Sequence, residues 1–284
     1  MDNNLYLPWP LPRLNTGGGN RSVQALKILL GLFALFGLLL ENTAATVAAD
    51  KSQPKPVLSL TSLEAPPFIS NDLNGKGPIA ILVQEAFRRS GYQSKVTIGI
   101  WARTISGAES VFFDVLIIGI KAPEREEIFH YSAPYMKLEM ALFKKKSLIL
   151  DWKSLKDLAP YHFTAVRGAT VSKEFQAAKY LSVLWVKDAK SMVQLVIKGR
   201  ANLAASPKRS TQNILEKYFP AEVHNFDFDI TPLSTPTVHI LVSKKHPNAK
   251  NLIDAFNSGL KSMRQDGTYQ TMVERYGLFA VSGE

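Results

Sequence analysis

From residue 57 onward, apolar and polar positions follow two rhythms in turn: short runs with a period of two or none, and longer stretches with a period of 3.6. The short runs predict strands over 57–60, 96–100, 114–120, 163–166, 183–186, 202–205 and 238–242. Residues 114–120 are almost continuously apolar, as expected of a strand covered on both faces. From 136 to 143 apolar residues alternate with Lys137, Glu139 and Ala141, which predicts a half-exposed strand. Pro78 opens a predicted helix that carries Ile79, Leu82, Val83, Ala86 and Phe87 on one face and closes at Gly91. Asp188 caps another, with Met192, Val193, Val196 and Ile197 as its apolar face and Gly199 as its stop. Further helices are predicted over 170–180, 252–263 and 269–276, and Ser154 with Asp157 forms a capping-box-like start. Strands alternating with helices define an α/β chain.

Upstream the pattern is of another kind. Residues 28–40 form an apolar run of about 13, whereas roughly 20 are needed to span a ~30 Å hydrocarbon core. Arg13, Arg21 and Lys27 precede the run and small residues follow it over 43–49, the layout of a secretory signal peptide. Val47 and Ala49 suit the −3 and −1 positions, so cleavage is expected before Asp50, with Ala48 a second candidate. The long basic leader leaves an uncleaved membrane anchor as the alternative.

Composition then removes several chemistries. The chain has no cysteine, which excludes disulfides, a lipid-anchored N-terminus and cysteine-based nucleophile or metal chemistry. Its net charge is +10, and about +9 once 1–49, with three basic and two acidic residues, are removed. Such a balance favours anionic ligands, acidic partners or membrane surfaces. The basic residues are scattered with no aromatic-interleaved stripe, so no nucleic-acid partner is expected. Lys144, Lys145 and Lys146 read as a solvated edge, and Gly17 to Gly19 lack the Gly-Lys-Ser/Thr ending of a phosphate loop. There is no Gly-x-Ser-x-Gly elbow, no His-Glu-x-x-His helix and no paired histidines at metal spacing; His130, His162, His224, His239 and His246 stand alone. No catalytic residue, metal or cofactor is predicted.

A series of short motifs runs through the same region: Pro66-Pro67-Phe68, Asn74-Gly75, Asp114, Pro123-Glu124-Arg125, Ser132-Ala133-Pro134-Tyr135, Leu155-Lys156-Asp157-Leu158, Gly199-Arg200 and Gln265-Asp266-Gly267-Thr268. In order and spacing the chain resembles the family 3 extracellular solute-binding proteins over roughly 57–278. Trp101-x-Arg103 further resembles a divergent proteobacterial branch. The resemblance implies a type II periplasmic-binding fold: two α/β lobes joined by two strands, with the ligand in the cleft. The expected organisation is a signal peptide over 1–49, a first lobe over 50–144, a second over 145–236 and a return to the first over 237–284. The implied function is a monomeric periplasmic receptor that captures a small polar, carboxylate-bearing solute by hinge closure and delivers it to the permease of an ABC-type transporter.

The ligand-binding set implied by the resemblance is Arg125, Trp101, Thr170, Ala169, Gly119, Glu64 and Phe68. Arg125 matches the family arginine that grips a carboxylate through its planar fork; the alternative is a surface arginine bridging Glu124 or Glu126. Trp101, thirteen residues before Asp114, matches a ligand-stacking aromatic, or else is core at a strand end. Gly168-Ala169-Thr170 would offer backbone N–H groups and a hydroxyl at the start of a helix, with Thr170 as a plain cap the other reading. Glu64 either pairs with a ligand cation or is solvated. Phe68 is read as cleft wall or core, and Tyr135 as packing.

The chain also departs from the family. Ile120 and Ala122 stand where the family carries hydroxyls before the arginine, and Ser206-Pro207 falls where it carries an acid for an α-ammonium. The ligand therefore need not be an α-amino acid, and Lys208 and Arg209 would suit an additional anionic group. Two other functions remain open: a sensory or degenerate receptor uncoupled from transport, and an enzyme on the same fold, similar to cyclohexadienyl dehydratase, with Glu64 its one candidate acid or base.

Overall fold

The computed structural model describes residues 57–281. The apolar run at 28–40, the cleavage site before Asp50 and the glycines at 17–19 lie outside them. The described chain forms two sheets. The first contains β1 (Leu58–Leu63), β2 (Ser94–Gly99), β3 (Val115–Gly119), β4 (Phe129–Tyr131), β5 (Met136–Lys137) and β11 (Thr237–Ser243). Its order is β2-β1-β3-β11-β4, with β5 paired to β11. β1 runs parallel to β2 and β3, and β11 returns antiparallel beside β3. The second sheet contains β6 (Met140–Lys145), β7 (His162–Val166), β8 (Ser182–Val186), β9 (Leu203–Pro207) and β10 (Phe226–Phe228), in the order β10-β6-β9-β7-β8. Its centre, β9-β7-β8, is parallel.

The helices that cover these sheets follow the apolar stripes. α1 (Pro78–Arg89) buries Ile79, Leu82, Val83, Ala86 and Phe87, the face expected for it. It packs on α7 (Ala249–Gln265), where Phe87 and Phe256 place their ring centres 5.7 Å apart. The two backbones approach so closely that a Cβ on Gly259 would lie well inside contact distance of the Ala86 carbonyl oxygen. α8 (Thr268–Tyr276) follows directly and buries Tyr269, Met272 and Val273. In the second lobe α5 (Ala189–Ile197) is capped by Asp188, whose Oδ1 accepts from the Ser191 N–H at 2.7 Å. The predicted capping box also forms, at the head of a single 3-10 turn (Leu155–Leu158).

Several expectations need correction. The strand predicted over 136–143 is two strands, and β6 is not half-exposed: Leu142 enters the large core cluster while Phe143 enters the second-lobe cluster, so both faces are covered. Because β6 pairs with β9 and β10, the chain has crossed into the second sheet by Met140, ahead of residue 144. The helix predicted over 170–180 shrinks to α4 (Lys173–Ala177), because Ser172 takes the cap by accepting from the Phe175 N–H at 3.0 Å. Thr170 is therefore not an N-cap. Lys144 is buried, its ammonium donating to the Leu148 carbonyl, whereas Lys145 and Lys146 are exposed. Two helices were not anticipated: α2 (Trp101–Glu109), which buries Trp101, Thr104 and Ala108, and α6 (Lys208–Tyr218), which buries Ser210, Thr211, Ile214 and Leu215. The four-residue α3 (Pro123–Glu126) and the short strands β4 and β10 carry too few residues for a period to show.

Candidate functional site

The residues that line a predominantly apolar hollow between the two sheets come from the carboxyl ends of the parallel strands and the turns that follow them. Leu63 and Glu64 end β1, Trp101 follows β2, and Ile118 and Ile120 end β3; from the second sheet come Val166 after β7, and Ala205 to Pro207 on β9. This is where side chains from different strands converge in open α/β sheets, because the following turns diverge from one another. The hollow encloses about 100 Å³ between the lobes.

Arg125 projects into it from α3. It is only 6% exposed, which removes the reading of a surface arginine bridging Glu124 or Glu126. Its Nη2 donates to the carbonyl oxygen of Gly168 in the other lobe, and its guanidinium carbon lies 5.5 Å from the centre of the Trp101 ring. Among the described residues, no carboxylate lies within ion-pair distance of it. Burial pulls its pKa down from the usual arginine value, while Tyr131 and Glu124 oppose that shift. The guanidinium still holds its proton.

Trp101 begins α2 rather than ending a strand, and its ring is buried against Gly168 from the second lobe. Gly168 has φ +77°, and a Cβ there would meet the indole at 3.4 Å, so the turn both needs and uses a glycine. The indole Nε1 is buried without a hydrogen-bond partner, and so is the Thr170 hydroxyl. Both residues line the hollow. Buried polar atoms are nearly always paired, so these two atoms, beside a guanidinium that has no ion-pair partner among the described residues, mark a place suited to a polar group.

The other expected residues divide. Ala169 lines the hollow, but its N–H already donates to the Val166 carbonyl at 3.0 Å and is not a free donor. Phe68 forms buried wall beneath the guanidinium of Arg209, which also donates to the Gly277 carbonyl. Glu64 sits at the mouth, exposed, its Oε2 accepting from the backbone N–H and the side-chain amide of Asn71, both at 3.3 Å. Gly119 is outside the lining: it pairs with His239 and is closed over by the Leu241 side chain. Tyr135 is fully buried, donating to the Ile117 carbonyl at 3.0 Å, and burial raises its pKa.

The sequence reading missed most of the second-lobe floor. Met192, Ser210, Thr211 and Ile214 line it, with the Thr211 hydroxyl donating to Ser206 Oγ at 2.8 Å. The spacing of Ser210, Thr211 and Ile214 was the available signal, but a helical face made partly of hydroxyls does not register as apolar. Among the described residues no group of acidic or histidine side chains has the arrangement of a metal site.

Over residues 59–279 the chain matches the model of the bacterial extracellular solute-binding proteins, family 3, and it belongs to that family. No curated protein matches the chain by sequence. Among solved structures, a mutant of ArgBP from T. maritima superposes with a TM-score of 0.65 at 22% identity, covering 77% of this chain and 94% of that one. A histidine kinase sensor domain with similarity to periplasmic binding proteins gives 0.70 at 17%, covering 80% and 99%. The amino acid ABC transporter substrate-binding protein AbpA from Streptococcus pneumoniae, bound to L-arginine, gives 0.63 at 17%, covering 77% and 93%. The fold is the two-lobed one of periplasmic binding proteins.

Proposed function

We propose that the protein is a periplasmic receptor that captures a small, carboxylate-bearing solute, an amino acid or a related compound, by closing its two lobes. It then presents the solute to the permease of an ABC-type transporter. The observation that carries this reading is Arg125: a buried cation at the junction of the lobes, facing a hollow, with no carboxylate within ion-pair distance among the described residues. A carboxylate in the hollow would satisfy the guanidinium by a bidentate, charge-assisted pair. The indole N–H of Trp101 and the hydroxyl of Thr170 would complete its hydrogen bonds. Family membership supports solute capture, and the arginine-bound AbpA supports a carboxylate ligand and a transporter as partner. We read the protein as a monomeric binder rather than an enzyme, since the one acid that reaches the hollow, Glu64, is exposed at its mouth.

The likeness to a histidine kinase sensor domain favours a second reading, a receptor that reports its solute instead of feeding a transporter. A thermal-shift screen against amino acids, polyamines and small carboxylates tests the receptor reading shared by both. A ligand at a hundred times its dissociation constant adds about 2.7 kcal/mol to stability. A panel that leaves the melting temperature unmoved would overturn it. Uptake of the hit by cells with and without the receptor then separates transport from sensing.

A further inference from the structure

We propose that α6 is a clasp: Arg209 and Lys217 reach from the second lobe to the first and hold the two together through the protein's own contacts. This rests on the receptor reading and adds what governs its closure. On sequence grounds Lys208 and Arg209 suited an additional anionic group, but the structure engages both elsewhere. The Lys208 ammonium pairs at 3.0 Å with Glu139, on the segment that crosses from the first sheet to the second. The Arg209 guanidinium donates to the Gly277 carbonyl and lies 5.1 Å from the centre of the Phe68 ring. Toward the other end of the helix, Lys217 bonds Asp72 at 2.7 Å. Phe68 and Asp72 follow β1 and Gly277 follows α8, so all three acceptors belong to the first lobe.

The two anchors differ in kind. Lys217 and Asp72 are exposed, so water and salt screen their attraction and the pair mainly sets direction. Arg209 covers a ring that is only 2% exposed, and a cation held over a buried ring is attracted more strongly than one in water. Among the described residues no carboxylate lies within ion-pair distance of Arg209, so its charge is not spent inside its own lobe. Phe68 also lines the hollow, so the clasp bears on the wall of the site itself.

Positions i and i+8 share a face of a helix and stand about 12 Å apart at ~1.5 Å per residue. Two anchors at that separation resist both rotation and sliding, whereas one alone would act as a pivot. Arg125, donating from the first lobe to Gly168 in the second, adds a third contact in the opposite direction. Each of these bonds joins protein atoms, so the clasp operates in the solute-free receptor as well. Opening must break it before a solute enters, and a captured solute leaves no faster than it breaks.

The test needs no solute. X-ray scattering on the protein recovered from the periplasm and exhaustively dialysed should give a larger radius of gyration for the Arg209→Ala, Lys217→Ala double variant than for the parent. Asp72→Lys, which sets two ammonium groups against each other, should also enlarge it, and the charge swap Asp72→Lys with Lys217→Asp should restore the parental value. Circular dichroism checks that each variant is folded, and because Asp72 and Lys217 are exposed the swap remains decisive even if the Arg209 variant fails to fold. A zero-length carbodiimide should couple Asp72 to Lys217 in the parent, seen by mass spectrometry as a linked peptide pair. Equal radii in the parent, the Asp72→Lys variant and the swap, or no coupling in the parent, would overturn the clasp. Either result leaves the receptor reading to the thermal-shift screen.

Discussion

Arg125 and Gly168 join the two lobes: the guanidinium of one donates to the carbonyl oxygen of the other, with the Trp101 ring lying against both. A single side chain thus touches the first lobe, the second lobe and the hollow between them.

Replacing that side chain separates binding from folding. Truncating one partner of a buried, hydrogen-bonded charge pair costs about 2–5 kcal/mol, so Arg125→Ala should weaken binding of the carboxylate solute by at least about thirtyfold. Arg125→Gln, which keeps a donor for Gly168 without the charge, should also lose affinity. Calorimetry reads the affinity, and circular dichroism with urea unfolding shows whether the fold survives. Unchanged affinity in either variant removes Arg125 from the site.

Acid should loosen the seam between α1 and the α7–α8 corner. Arg89 bonds Glu85 at 2.9 Å and Asp266 at 2.5 Å, and Arg88 holds Glu85 at 2.7 Å. The hydrogen bond from Arg88 depresses the Glu85 pKa to about 2, and bonds from Thr268 and Arg89 bring Asp266 to about 2. Both carboxylates have folded-state values below their unfolded ones, so the stability they contribute is present in full above the ordinary carboxylate range. It is lost as pH falls from about 4.5 through about 2. Urea midpoints measured across that window should fall less steeply in a Glu85→Gln, Asp266→Asn double variant than in the parent. Identical slopes would show that the cluster is not formed in solution.

Gly259→Ala tests the helix contact. A methyl group there meets the Ala86 backbone rather than a flexible side chain, so α7 must move away from α1. Overpacking of this kind costs about 1–3 kcal/mol, and the urea midpoint should drop accordingly with the solute affinity little changed.

Export is tested by mass. The product recovered from the periplasm should begin at or within a residue of Asp50. Recovery of the full-length chain in the membrane fraction would favour the anchored alternative.

How much of this was legible beforehand depends on where each signal lay. The α1 face, the α5 cap at Asp188, the continuous apolar run of β3 and the terminal helices all carried a clear period or a distinct stop, and all formed within a few residues of expectation. α2 was obscured because Trp101, Thr104 and Ala108, its buried positions, include a hydroxyl and follow directly on a strand. α6 was hidden by its buried Ser210 and Thr211. In the hollow, Arg125, Trp101 and Thr170 were named from motif order, and the structure brings the three together. Gly119 was drawn in by its neighbours in sequence, but strand alternation turns it toward Leu241. The unpaired state of the indole and of the Thr170 hydroxyl exists only in three dimensions.

The Arg125–Gly168 contact also sets a threshold for entry. An arriving solute does not find a wholly vacant cation; at Nη2 it meets an amide carbonyl that is already in place and tethered to the protein. A neutral carbonyl compound offers the guanidinium about what Gly168 offers and pays in addition the loss of its own freedom of motion. A carboxylate offers a charge-assisted bond roughly twice as strong as a neutral one. For the receptor proposed above, the internal carbonyl would then be a built-in competitor that disfavours uncharged compounds of the same shape.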